Sequence, residues 1–421
     1  MSDNLFMKKT ITFDNSNESA LLQYKQMELM SLLEVTNAIN RNDSAEDLYR
    51  IYGFILKAQL KLQRLAIFYH DEKTWNCVYR NGTQDVPSEM LLMTEEWLDF
   101  KEPVSLPKTQ LEPIKQYFEV LMPVYHKDRP LAYVLLGHLE SNLPESVNDR
   151  LNFIQTITNI IIVAIENKRL FNKQMEQERM SKELDLASKV QNMLIPDKLP
   201  NNANVNLSAI YLPHYSIGGD YYDVFHTSDD ELLACIADVS GKGIAAALLM
   251  ANFQALIKVL GKENLDLTQL VKKLNERVEE ITQGERFITL FIAKYNLKTR
   301  VLRYINAGHP PPLLFQEGAE EIVELQSGCT LIGAFEELPS VTEGSVTIPP
   351  NSMLIMYTDG LSDVVNEDGE YFEEKNLHKF IQQQRSEDSK ELNDALLAYI
   401  DQFRGTRRYT DDISVLSWEI N

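Results

Sequence analysis

Four times in the second half of the chain, an aspartate stands where a strand-like apolar run meets a glycine turn or a second aspartate. The plainest case is Ala237-Asp238-Val239-Ser240-Gly241-Lys242-Gly243. Leu232 to Ala237 reads as a buried strand and the Ala- and Leu-rich stretch Ile244 to Leu260 as a helix. Asp238 is therefore expected on a rigid strand end, beside a turn that lets something approach closely. Ile217-Gly218-Gly219-Asp220 follows a strand-like Leu207 to Leu212, Asp359-Gly360 closes the run from Met353 to Thr358, and Asp411-Asp412 precedes a closing strand from Ile413 to Trp418.

One Asp-Gly is an ordinary turn. Four acids at strand mouths within one stretch imply convergence on one face of a sheet. Clustered carboxylates repel and need a counter-ion. A donor set of oxygens, without His or Cys, favours hard cations such as Mg²⁺ or Mn²⁺. Two such ions roughly 3.5–4 Å apart could share a carboxylate and hold a water that ionises near neutral pH and attacks phosphorus.

Charge narrows the alternatives. The chain has 421 residues and a net charge of −21, which argues against nucleic acid or an anionic membrane as partner. The three cysteines, Cys77, Cys235 and Cys329, show no zinc spacing and read as reduced thiols. The amino terminus lacks the apolar core of a signal peptide, and the longest apolar run, Ile160 to Ile165, is too short to span a bilayer. The expectation is a soluble, cytoplasmic protein.

Residues 1–19 are polar and are expected to be loose. Helical spacing covers Ala20 to Asn40, and Ser44 is a candidate cap for a second helix, Ala45 to Leu60. Two hairpins follow, 65–71 with 74–82 and 120–139 turning at 127–129, and Asn148 to Asn167 is helical again. This order gives an α+β domain over residues 20–165 that resembles a GAF sensor domain, chiefly in its last hairpin. Residues 166–196 stay helix-forming until Pro196, with a narrow apolar stripe of Phe171, Met175, Met180, Leu184, Ala187, Val190 or Gln191, and Leu194. Its spacing suits an imperfect coiled coil, so a linker helix and a homodimer are expected.

Six strings then stand in order: GGDYYD (218–223), ADVSGKG (237–243), FITLFIAKYN (287–296), NAGHPPPLL (306–314), YTDGLSDVVNEDGEYF (357–372) and DDIS (411–414). Together they resemble the PPM-type metal-dependent serine/threonine phosphatases of the SpoIIE/RsbU branch, over roughly residues 180–420. The resemblance implies a phosphatase domain at 197–421, a sandwich of two β-sheets flanked by helices, with two Mn²⁺ or Mg²⁺ ions at one end.

Carried over, Asp238 is the shared carboxylate beside the Val239 carbonyl. Asp359 and Asp411 complete the second ion's shell, and Asp220 acts on the first through water. Asp223 and Asp412 are then supporting or solvated, and Gly219, Gly360 and Asn306 supporting or structural; His309 reads as structural in this branch, the alternative being that it protonates the leaving serine oxygen. The branch also implies a phosphorylated partner, commonly a STAS-type anti-sigma-factor antagonist. Gly328-Cys329-Thr330-Leu331-Ile332-Gly333 lacks the branch's usual proline, and Asp363 stands where Glu is common. Ser240-Gly241-Lys242-Gly243 lacks the upstream glycine of a nucleotide loop, so no nucleotide site is expected there. A silent scaffold built on the same fold is the alternative.

Overall fold

In a computed structural model, the structure describes residues 15–421 except 72, 110, 112–113, 140–145, 203, 215–216, 317–321 and 385–387. Most of the segment expected to be loose, residues 1–14, lies outside the described residues. The chain divides into two compact units, Met1–Glu178 and Arg179–Asn421.

The first unit opens with helices α1 (Asn15–Asn40) and α2 (Ala45–Leu60). Ser44 caps α2 by accepting the Asp47 N–H at 3.1 Å, and Glu46 and Asp47 place negative charge on its first turn. Strands β1 (Arg64–His70), β2 (Trp75–Asn81), β3 (Val104–Ser105), β4 (Val120–His126) and β5 (Arg129–Gly137) form an antiparallel sheet in the order β2-β1-β5-β4-β3.

β1, β4 and β5 read as continuous apolar runs because both sheet faces are covered. Ile67, Met122 and Val134 pack under Leu56 and Ile157 on the helical side. Phe68, Trp97, Phe118 and Tyr133 fill the other. Helix α3 runs unbroken over Val147–Asn192, so the expected sensor helix and linker are one element. Among the described residues no helix is long and apolar enough to cross a membrane.

The second unit continues with β6 (Val205–Leu212), β7 (Tyr221–Ser228), β8 (Glu231–Val239), α4 (Ile244–Leu260), α5 (Leu267–Thr282), β9 (Ile288–Asn296) and β10 (Val301–Ala307). Then come β11 (Leu313–Gln316), β12 (Ile322–Glu324), β13 (Gly328–Cys329), β14 (Gly344–Thr347), β15 (Ser352–Tyr357), α6 (Glu373–Gln383), α7 (Ser389–Arg404) and β16 (Ile413–Ile420). One sheet has the order β13-β10-β9-β8-β7, with β14 also on β10; the other has β12-β11-β15-β16-β6.

Strand periodicity builds the layers. Ile236, Phe291, Tyr295, Leu354, Met356 and Trp418 face inward and form the core between the sheets. Their alternate neighbours face outward. Cys235, Leu290 and Ile292 pack under Phe253 and Leu274 of α4 and α5, while Ile355, Ile413 and Val415 pack under Phe380 and Leu396 of α6 and α7. The result is a helix–sheet–sheet–helix sandwich.

Candidate metal centre

The antiparallel ladders decide which acids can meet. Tyr221 pairs with Ala237, so Asp220 enters β7 one rung from where Asp238 leaves β8. Tyr357 pairs with Val415, so Asp359 leaves β15 beside the point where Asp411 and Asp412 lead into β16. Each sheet thus delivers its acids at one end.

Hydrogen bonds join the two ends across the sandwich. Thr358, fully buried, donates its Oγ1–H to Asp220 Oδ2 at 2.7 Å and accepts the Ser414 N–H at 2.9 Å. Asp412 accepts the Gly219 N–H on Oδ2 and the His214 N–H on Oδ1, both at 2.7 Å. Gly360 is required by this closeness, since a Cβ there would collide with the Asp412 carbonyl. Gly219 lies against the Val239 carbonyl, 3.0 Å from where its own Cβ would stand.

The electrostatics follow from crowding. Burial, then Asp359, Asp411 and Asp412, push the Asp238 carboxyl up to about 7. Asp220 is raised well above the carboxylate range, first by burial and then by Asp238. Burial followed by Asp363 and Asp411 raises Asp359, and burial followed by Asp411 raises Asp363. Asp412 is raised by burial and drawn back by its two backbone N–H donors.

Lys242 brings positive charge to the set: its Nζ lies 2.8 Å from Asp411 Oδ2 and donates to the Thr410 carbonyl at 2.7 Å. Among the described residues, no three or more His, Cys, Asp or Glu side chains form a ready-made cage for one ion. The donor set still suits a hard cation. Mg²⁺ and Mn²⁺ accept one or two carboxylates and complete their shells with water.

Asp223 does not join the other acids. It shares a face with Tyr221, two residues back, and so points toward α4. Buried there, its Oδ2 accepts from Tyr221 Oη at 2.5 Å and pairs with Lys258 Nζ at 2.5 Å. The odd spacing from Asp220 was the sequence signal for that separation.

Asn306 and His309 form a turn after β10: Asn306 Oδ1 accepts the His309 N–H at 2.8 Å, and His309 Nδ1 lies 2.9 Å from Thr289 Oγ1. Burial holds His309 down at about 3, so its ring is neutral at neutral pH. Sequence reasoning missed Thr358, Asp363, Lys242 and Gln191 as site residues. Gln191, near the end of α3, donates Nε2–H to the Gly218 carbonyl at 2.6 Å and accepts the Gly218 N–H at 3.1 Å. Its place at an apolar-stripe position was the available hint.

Comparison with known proteins agrees with this architecture. Residues 228–421 match the family model of stage II sporulation protein E (SpoIIE). Phosphoserine phosphatase RsbU of Bacillus subtilis is 27% identical over 259 residues, covering 61% of this chain and 76% of RsbU. Phosphoserine phosphatase RsbP of the same organism is 26% identical over 186 residues, covering 43% of this chain and 45% of RsbP. The SiaA-PP2C domain of Pseudomonas aeruginosa superposes with a TM-score of 0.52 at 21% identity, covering 58% of this chain and 99% of that domain. The carboxy-terminal part of this chain is thus similar in sequence to the SpoIIE family over residues 228–421 and has a PP2C-like fold.

Proposed function

We propose that the chain is a metal-dependent protein serine/threonine phosphatase under the control of an amino-terminal, GAF-like sensor. One observation carries the reading: the hydrogen bonds Thr358–Asp220 and Gly219–Asp412 join the strand ends that bear Asp220 and Asp238 to those that bear Asp359 and Asp411. Asp238, Asp359, Asp411 and Asp220, with the Val239 carbonyl, would hold two divalent ions, Mn²⁺ or Mg²⁺. Bound there, such ions supply acidified water and positive charge for phosphoryl oxygens.

The protein's own groups prepare that chemistry. Thr358 fixes which way Asp220 points, and Asp412 holds the backbone N–H groups of His214 and Gly219 beside it. Burial and mutual repulsion favour exchange of protons for cations at Asp238 and Asp220. His309 is buried and neutral, so it is a turn element and not a proton donor.

The relatives named phosphoserine phosphatases support a phosphoserine protein as substrate; a STAS-type anti-sigma-factor antagonist, which the family resemblance implies, is the first candidate. A homodimer through α3 is supported by Phe171, Met175, Met180 and Val190, all exposed on that helix. The five-stranded sheet with helices on one face suits the sensor.

The deciding experiment is Mn²⁺-dependent phosphate release from a phosphoserine protein. Release by the native chain, abolished in Asp238→Asn, supports the reading. No release in any metal, with no Mn²⁺ bound in calorimetry, would leave the silent scaffold.

A further inference from the structure

We propose that Lys242 is the exchangeable counter-ion of the acid cluster and, once exchanged, the anchor for the phosphoryl group of the substrate. The inference rests on the metal-centre reading above and names a residue that reading leaves without a role.

The ammonium occupies Asp411 Oδ2 at 2.8 Å, while Oδ1 accepts the Asp412 N–H at 2.9 Å. Both oxygens of this proposed ligand are therefore engaged. A divalent ion coordinated by the same carboxylate would stand within a few ångströms of the ammonium. At that range in a half-buried site, repulsion between the two cations exceeds what one ion pair returns. Ion and lysine must exchange on Asp411.

The local backbone suits such exchange. Lys242 lies between Gly241 at φ 91° and Gly243 at φ 74°, conformations that L side chains rarely adopt. A Cβ at Gly243 would meet nothing within 4 Å, so conformation and not space calls for glycine there. The Lys242 side chain is 47% exposed, and its ammonium also bonds the Thr410 carbonyl, a neutral partner that is easily given up.

Displacement leaves a compact, rotatable cation at the mouth of the acid set. A phosphate monoester arrives as an anion and would meet it there. Arg286, a cation that reaches this loop from the segment before β9, is occupied, with Nη1 donating to the Ser240 carbonyl at 2.8 Å.

The test uses the full chain, Mn²⁺ and inorganic phosphate in titration calorimetry, on wild type, Lys242→Met and Lys242→Arg. Removing the charge should tighten Mn²⁺ binding about 10-fold and weaken phosphate binding to the Mn²⁺-loaded protein about 10-fold. Arginine, which keeps the charge, should stay within about threefold of wild type for Mn²⁺. A cooperative thermal transition retained in EDTA, at a somewhat lower temperature in Lys242→Met because the acids lose their counter-ion, checks that the substitution leaves the fold intact. Mn²⁺ binding that is equal or weaker in Lys242→Met, or phosphate binding that does not change, overturns the proposal while leaving the metal centre standing. A wild-type chain that binds no Mn²⁺ overturns both.

Discussion

Gln191 holds Gly218 by both backbone groups, donating to its carbonyl at 2.6 Å and accepting its N–H at 3.1 Å. The amide side chain thereby satisfies both backbone polar groups of Gly218, two residues from Asp220, inside a buried contact. Replacing Gln191 with Ala leaves both Gly218 groups without that partner. Phosphatase activity should fall about 10-fold or more, as expected when a reacting group shifts by about an ångström. Gln191→Glu, which keeps the acceptor but loses the donor, should fall between. Full activity in Gln191→Ala would remove the glutamine from the site.

Thr358 makes a direct link between the sheets, from the end of β15 to Asp220 before β7. Thr358→Val keeps the shape but strands Asp220 Oδ2 and the Ser414 N–H. Loss of a buried partner predicts about 1–3 kcal/mol of destabilisation in denaturant unfolding. Thr358→Ser should recover most of it.

Asp238 gives the pH dependence. Its folded-state carboxyl is raised to about 7, above its unfolded value, so the folded chain binds more protons between those values. Without divalent ions, its contribution to stability is present in acid and is lost as pH rises through about 7. Asp238→Asn should therefore gain in melting temperature relative to wild type from pH 4 to pH 7 in EDTA. Saturating Mn²⁺ should reverse that order at neutral pH. Parallel pH curves for the two proteins would show that Asp238 is not crowded.

Asp223 and Asp411 separate structure from chemistry. Asp411→Asn should weaken Mn²⁺ binding by calorimetry at least about 10-fold, because a carboxylate ligand is lost. Asp223→Asn should leave Mn²⁺ affinity near wild type and lower stability, because Lys258 loses its buried partner.

The apolar stripe of α3 yields a test of assembly. Replacing Met175 and Met180, both exposed, with Glu should convert a dimer to a monomer in light scattering. A native chain that is already monomeric would end the dimer reading.

Much of this arrangement was legible in the sequence because it is local. Strand ends carrying Asp238 and Asp359, the cap at Ser44 and the break after α3 are short-range patterns. The alternation of β7, which parts Asp223 from Asp220, was present in the sequence but was not used. Strand order was not legible, because β6 pairs with β16 across some two hundred residues and no periodicity records a partner. The links Thr358–Asp220, Lys242–Asp411 and Gln191–Gly218 were hidden for the same reason. Each is a polar contact between residues whose own neighbourhoods look ordinary.

The acids stand at the open end of the sandwich, where Thr358 and Asp412 also fasten one sheet to the other. Ions bound by these acids would consequently tighten the same edge that those hydrogen bonds close. If divalent ions bind there, chelation should fray the ends of β7 and β15 before the centre of either sheet loosens, and amide exchange would read the occupancy of the site as the tightness of a hem.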